Sequence, residues 1–427
     1  MKVIADFHIH SRYSRATSKN MDLIEISRFC KIKGLNLIGT GDFTHPKWLN
    51  ELREGLMEVD GSGLYRLSHN EKNPTLFIIS GEVCTIFSRN EKSHRIHHVI
   101  LAPSLENAEQ ISDVLKKYGD LDIDGRPFLN MNAAHLVEII SELSNQNMIF
   151  PAHAWTPWYS VFGSISGFDS LEDCYEDFSH KIFALETGLS SDPLMNWRVS
   201  DLDNLALLSN SDSHSAWPWR IGREANVFEL NNLTYKEIID SIKSRNKNFL
   251  YTIETNPAYG KYHWTGHRNC GISFPAKDAM SRGNVCPICR KKMTKGVEQR
   301  VEEMADREIG HKPKNAKDFF HLLPLSEIIA LVLGKEQLAS PKIWEVYNSL
   351  IGKFDNEYFV LLNAKKDDIT VVAGKEIAYT IIEIREGRMR VEPGYDGLYG
   401  KLEKMDKSDR QITKEAKKIT NLDDYFN

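Results

Sequence analysis

Asp6-Phe7-His8-Ile9-His10 closes the first apolar run of the chain (Val3, Ile4, Ala5), and its reading decides the fold. Two imidazoles at i and i+2 on an extended segment point to the same side, which is how a strand hands two nitrogen ligands to one metal ion. A single His-x-His pair is weak evidence, so the weight falls on whether later strands end in the same way.

They do. Up to about residue 230, short apolar runs alternate with amphipathic stretches, the pattern of βα units. Strands are expected at 2–7, 35–40, 75–81, 97–102, 147–152, 181–186 and 204–209. The first intervening helix has Ser18 or Asn20 as cap, an apolar side of Ile24, Ile26, Phe29 and Cys30, and Gly34 as its stop. Similar helices are readable at 105–118 and 132–145, so the expected class is α/β with a barrel-like first unit.

Polar residues interrupt these runs at their ends. His8 and His10 end the first, Asp42 and His45 follow the second, and Glu82 ends the third. His97 and His98 open the fourth, His153 and Glu186 end the fifth and sixth, and Asp212 and His214 end the seventh. In a parallel barrel the C-terminal strand ends meet on one face, where a site is assembled. His69, His94, His135 and His180 read as ordinary surface or hydrogen-bonded histidines, but unrelated core histidines have no reason to recur at successive strand ends. A pair of cations bridged by a carboxylate can activate water and hold both oxygens of a phosphodiester. Mixed His and carboxylate ligands suit Zn, Mn or Fe better than Mg alone.

A second cluster lies at His267-x2-Cys270 and Cys286-x2-Cys289, the spacing of two knuckles closing one tetrahedral structural zinc site. His263 competes for the fourth position, but His267 has the x2 spacing. Cys30, Cys84 and Cys174 are scattered and read as reduced core residues. Between Lys261 and Arg300 nine Lys or Arg face two acids, on a chain whose formal charge is -5. A basic module on an acidic body suits a nucleic-acid enzyme, with Arg290, Lys291 and Lys292 placed for DNA phosphates. Trp155 and Trp158 follow His153, and Arg220 and Arg223 follow His214. Beside a phosphoesterase centre such residues could stack bases and hold phosphates.

At 427 residues the chain has room for two to four domains. Pro324 and Glu327 break its longest apolar run, so no membrane span is expected, and with no leader apparent the expected location is cytoplasmic. From about 306 helices are expected at 325–333 and 341–352, with strand-like runs at 357–363 and 377–384. The expected division is 1–252 barrel, 253–305 zinc module, 306–400 mainly helical region and 401–427 tail. In that tail Leu422, Tyr425 and Phe426 resemble the sliding-clamp (PCNA) binding peptide of DNA-processing proteins, although Ile419 replaces the usual Gln.

The order His-x-His, Asp, Glu, His, Ala-His and Asp-x-His resembles the polymerase and histidinol phosphatase (PHP) family, whose members are distorted seven-stranded β/α barrels that hydrolyse phosphoesters with up to three metals. That resemblance implies one metal on His8, His10, Glu82 and Asp212, a second on Glu82, His98 and His153, and a third on His214 with Asp42 or His45. Asp212, Glu82 and His10 would carry the catalysis. The sequence departs from the family's pattern where Ser14, Arg15 and Ala16 stand in place of a third early histidine, and where Asp42 is followed by Phe43.

Barrel, zinc module and helical region together resemble the endonuclease Q family, through Gly39-Thr-Gly-Asp, Pro151-Ala-His-Ala-Trp-Thr-Pro-Trp, Ser209-Asn-Ser-Asp-Ser-His and Gly260-Lys-Tyr-His. The resemblance implies a monomeric DNA repair endonuclease that uses metal-activated water to cut 5′ to deaminated bases (hypoxanthine, uracil, xanthine) and abasic sites in double- or single-stranded DNA. The alternatives are a small-molecule phosphatase of the histidinol-phosphate type, which needs no zinc module, and a PHP-class DNA exonuclease.

Overall fold

The computed structural model describes residues 1–70 and 73–403. All seven expected strands are present: β1 (Lys2–Asp6), β2 (Leu37–Gly39), β3 (Leu76–Arg89), β4 (Lys92–Ala102), β5 (Met148–Pro151), β6 (Ala184–Glu186) and β7 (Ala206–Leu208). Three later strands join the main sheet, β8 (Ala225–Glu229), β9 (Phe249–Glu254) and β10 (Asp318–His321).

β1, β2 and β3 are parallel neighbours, and β8 lies antiparallel on the other side of β1. The sheet is not uniformly parallel, because β4 is the return arm of a hairpin with β3 and pairs antiparallel with both β3 and β5. Its turn is the two residues Asn90 and Glu91, both at positive φ (50° and 61°), the geometry that matches strand twist in tight hairpins. β6 and β7 form a separate parallel pair. Among their links to the main sheet are the Ala154 N–H to Glu186 carbonyl bond (2.9 Å) and the Asn226 side chain, which bonds both backbone groups of Ser209. A side chain stands where a ladder would close the ring.

Inside this ring one hydrophobic cluster draws residues from every strand from β1 to β9, among them Val3, Leu37, Ile78, Val99, Phe150, Ala184, Leu208, Phe228 and Phe249. Outside it, helices bury their apolar faces in a second and larger cluster. The helix Leu23–Lys33 is capped by Asp22, not by Ser18 or Asn20, because the Asp22 carboxylate reaches the N–H groups of both Ile24 and Glu25. Leu105–Leu115 and Ala133–Leu143 lie within the expected spans.

Two domain limits shift. β9 runs through residue 252, and β10, from the stretch assigned to the helical region, pairs parallel with β9. The segment that carries the Cys and His cluster is therefore inserted between two neighbouring strands of one sheet. The C-terminal runs read as strands at 357–363 and 377–384 are the helices Glu357–Leu362 and Lys375–Arg385. Asn356 caps the first, and Ile377, Ile381 and Ile384 bury one helical face of the second.

These helices are tied to the helix Leu23–Lys33 by a buried ion pair, Lys33 Nζ to Glu357 Oε1 (2.7 Å), with Lys33 also donating to the Pro218 carbonyl (2.9 Å). Tyr358 donates to the carbonyl of Gly222. No helix among the described residues is long and apolar enough to cross a membrane. The clamp-like residues Leu422, Tyr425 and Phe426 lie outside the described residues.

Candidate metal centre and cleft

The strand ends converge as the alternation of residues requires. His8 and His10 follow β1, and each has its Nδ1 fixed by a carboxylate: His8 by Glu186 (2.9 Å) and His10 by Asp42 (2.9 Å). Fixing Nδ1 aims both Nε2 atoms inward. His10 Nε2 lies 3.0 Å from Asp212 Oδ1 and 3.4 Å from Glu82 Oε2, and His8 Nε2 lies 3.6 and 3.7 Å from the same two atoms. The other oxygen of Glu82 faces His97 Nδ1 (2.8 Å) and His153 Nε2 (3.3 Å). Glu82 thus divides its two oxygens between two ligand sets, as a bridging carboxylate would.

Backbone strain supports this arrangement. Asp42, His153 and Asp212 sit at φ of 49°, 31° and 46°, and non-glycine residues adopt that region at a cost usually tolerated where function demands a direction. Gly41 is at φ 66°, where a Cβ would stand 2.4 Å from the Ile9 carbonyl oxygen, so glycine lets the second strand end approach the first. Beneath the site, Asp6 accepts hydrogen bonds from the Ser211 hydroxyl (2.6 Å), the Ser211 N–H (3.1 Å) and the Gly222 N–H (3.0 Å). Burial pushes its carboxyl up to about 6.

The donor set fits metal ions. His8 Nε2 is buried without a hydrogen-bond partner, yet it faces two carboxylates too distant for a hydrogen bond. Burial opposes ionisation of Glu82, but His97, Arg126 and His8 outweigh it and hold the carboxyl well below the usual range. Burial disfavours the charged form of His97 and pushes it down to about 4, against the pull of Glu82. His8, His10, Glu82 and Asp212 could hold one ion, and Glu82, His97 and His153 a second.

Several expected residues fall elsewhere. His98, preferred over His97, points away from the centre: alternation puts His97 on the inner face with Glu82 and turns His98 outward, edge-on to Tyr175. Asp42 accepts from His10 and from the N–H and hydroxyl of Ser11, so it orients a ligand. His45 precedes the helix Pro46–Gly55 and stacks on Tyr13. His214 lies with its ring 4.4 Å from that of His10 and donates to the Asp212 carbonyl (3.0 Å). Among the described residues none of His214, Asp42 and His45 belongs to a ligand group, so the third set is not assembled. Trp155, expected at the DNA, is buried in the core and donates to Asn196 (2.8 Å).

The centre opens into a cleft of about 830 Å³ whose walls include Trp158, Arg220, Arg223, Lys261, Tyr262 and Tyr399. Trp158 meets Tyr262 edge to face at 5.4 Å, and the Lys261 ammonium lies over Tyr399. Sequence reading held Lys261 and Tyr262 only within the Gly260-Lys-Tyr-His motif, with no role at the cleft, and it missed Tyr399 and Arg126. Arg126 stands on the cleft wall with Nη1 3.2 Å from Glu82 Oε2. Glu186 was visible as a strand end, but its role in orienting His8 was not.

In the inserted module, the ligand atoms of His267, Cys270, Cys286 and Cys289 lie within 4.8 Å of one another around a small core of Ala279, Cys286 and Met293. N–H groups of Cys289 and Ile288 hold the Cys286 thiol down to about 6, while burial and the neighbouring sulfurs push Cys270 up to about 11. Three crowded sulfurs that resist joint ionisation are a site a cation would stabilise. His263 is not among these ligands. Arg290, Lys291 and Lys292 are exposed on this module, away from the cleft lining.

Buried histidines and carboxylates gathered on a shared glutamate at one mouth of an α/β sheet define a metal-dependent hydrolase. The lesion-specific endonuclease PfuEndoQ of Pyrococcus furiosus matches with a TM-score of 0.85 and 35% identity, over 96% of this chain and 99% of that one. The chain belongs to the endonuclease Q family. A second structure, endonuclease Q with a 27-mer duplex substrate carrying an abasic lesion at the active site, matches at TM-score 0.84 and 35% identity, over 99% and 100% of the two chains. The uncharacterized protein MJ0043 of Methanocaldococcus jannaschii is 36% identical over 58% of this chain, which spans only 31% of that longer protein. The family described as the MJ0043 C-terminal domain matches residues 324–388, the helical region.

Proposed function

We propose that this protein is a DNA repair endonuclease that hydrolyses the phosphodiester 5′ to abasic sites and deaminated bases (hypoxanthine, uracil, xanthine) in duplex or single-stranded DNA. The observation that carries the reading is the near full-length likeness to an endonuclease Q bound to a duplex with an abasic lesion, joined to a cleft in which Glu82 faces Arg126. In this reading the ring of strands is a distorted PHP-type barrel. His8, His10, Glu82 and Asp212 would hold one ion and Glu82, His97 and His153 a second, of Zn, Mn, Fe or Mg type. Bound there, they supply an activated water and neutralise charge on the phosphate.

The chain's own residues do the rest. Glu186 and Asp42 keep His8 and His10 in one orientation and tautomer. Arg220 and Arg223 attract the flanking backbone, and Trp158 with Tyr262 offers ring faces to an unstacked nucleotide. A structural zinc holds the inserted module, whose Arg290, Lys291 and Lys292 meet phosphates further along the duplex. The protein acts as a monomer, and the tail beyond the described residues engages a sliding clamp of the PCNA type.

The test is an end-labelled duplex with one abasic site or one hypoxanthine, incubated with Mg or Mn. Nicking on the 5′ side that leaves a 3′-hydroxyl and a 5′-phosphate is expected. Release of phosphate from a sugar phosphate, with the duplex left intact, would overturn the reading.

A further inference from the structure

Arg126 is a cleft residue whose chemistry the ligand sets do not use. Its Nη1 donates to Glu82 Oε2, the oxygen shared with His8 and His10, while its side chain stays 22% exposed on the wall that also carries His97, His153, Asp212 and His214. Among the described residues Glu82 is the acceptor that this guanidinium reaches, so its remaining N–H groups are available to an anion in the cleft.

The loop is built to hold it there. The Asp124 carboxylate accepts from the N–H groups of Arg15 (3.2 Å) and Arg126 (3.2 Å), and Gly125 donates its N–H to the Tyr13 carbonyl (3.1 Å). A Cβ on Gly125 would lie 2.4 Å from Asp42 Oδ2 and 2.5 Å from Ser14 Oγ, so only glycine lets this loop press against the carboxylate that orients His10. Arg126 and His10 are thereby positioned through the same contact.

Resting on the reading of the site as a phosphodiesterase, we propose that Arg126 is a catalytic residue whose guanidinium hydrogen-bonds a non-bridging oxygen of the scissile phosphate. A planar fork can hold Glu82 with one N–H and a phosphate oxygen with another, which an ammonium cannot do with the same geometry. As water oxygen bonds to phosphorus and the P–O3′ bond breaks, negative charge gathers on the non-bridging oxygens, and a fixed guanidinium stabilises it without reorganisation. The water's proton leaves with the 3′-oxygen or to solvent, so Arg126 keeps its own protons throughout. A bystander role, in which Arg126 only neutralises Glu82, requires none of this exposure.

The test compares wild type, Arg126→Ala and Arg126→Lys on an abasic duplex and on bis(p-nitrophenyl) phosphate. It adds metal content per chain, duplex binding by anisotropy in EDTA, and rescue by free guanidinium. Arg126→Ala is expected to slow single-turnover cleavage of both substrates on the order of 10²-fold, with metal content kept, weaker duplex binding in EDTA and partial recovery in guanidinium; Arg126→Lys falls between. Unchanged rates, or a loss that tracks lost barrel metal and ignores guanidinium, overturn the proposal. A wild type inert on the abasic duplex but active on the small diester overturns the lesion reading alone, and the arginine's role is then read on the diester. Inertness on both overturns both.

Discussion

The inserted module gathers four candidate ligand atoms from between His267 and Cys289, whereas the candidate centre at the strand ends draws its own from residues as far apart as His8 and Asp212. One set is assembled by local turns around a small core, and the other only by closing a sheet of several strands. The orienting groups differ in the same way. Cys286 is set up by its neighbours Ile288 and Cys289, while His8 depends on Glu186 and His10 on Asp42. A local site can be lost or kept as a unit. A distributed one is coupled to the fold at every ligand.

The largest break in that comparison comes from Asp212→Ala. It removes the carboxylate that faces both His8 and His10, and cleavage of an abasic duplex should fall by roughly 10³-fold or more. Metal analysis should show the module's ion unchanged. Loss of both kinds of metal together would show that the sites are not independent.

Next is Glu186→Gln, which touches no proposed ion directly. The amide can no longer accept from His8 Nδ1, the His153 N–H and the Asn210 amide as a carboxylate does. Losing such an outer partner typically costs 10- to 100-fold in metal affinity or rate. Titrating activity against added Mn measures it; an unchanged curve would make Glu186 a packing residue only. Smaller again is Cys286→Ser, which should remove one zinc per chain and weaken duplex binding about tenfold, because the module then loses the fold that presents its basic residues. The melting of the barrel should stay where it was.

The same contrast explains what was legible in the sequence. The Cys and His cluster could be read from spacing, and the candidate ligands of the other centre from the polar residues that end apolar runs. Which histidine of the pair 97–98 faces Glu82 depended on β4 and its alternation against β3, a pairing that the expected parallel ring did not include. Trp155 and Trp158 follow the same ligand and look alike in sequence, but Asn196, far along the chain, satisfies the indole of one and draws it into the core. The resemblance offered Asp42 or His45 as the partner of His214 in a third set. The left-handed turn at Asp42 sends its carboxylate to His10, and His45 stays behind on Tyr13. Arg126 had no signal, because its meaning lies in a contact across 44 residues of chain. Apolar runs as short as 357–363 do not distinguish strand from helix until a cap such as Asn356 is recognised.

The smallest effect sharpens the comparison most. Lys291 and Lys292 are exposed and lie outside the cleft, so in the proposed reading they touch phosphates and not the reacting group. Lys292→Ala should weaken binding of damaged and undamaged duplexes alike, by a few fold at moderate salt, and reduce the slope of log Kd against log salt by about one. Cleavage under single-turnover conditions with enzyme in excess should be unchanged, because the proposed reading gives the basic residues attraction of the duplex and leaves the bond to the metal centre. If Lys292→Ala instead slowed single-turnover cleavage while leaving the salt slope intact, the module would be reaching the reacting strand. The separation between a local binding site and a distributed catalytic one would then be wrong.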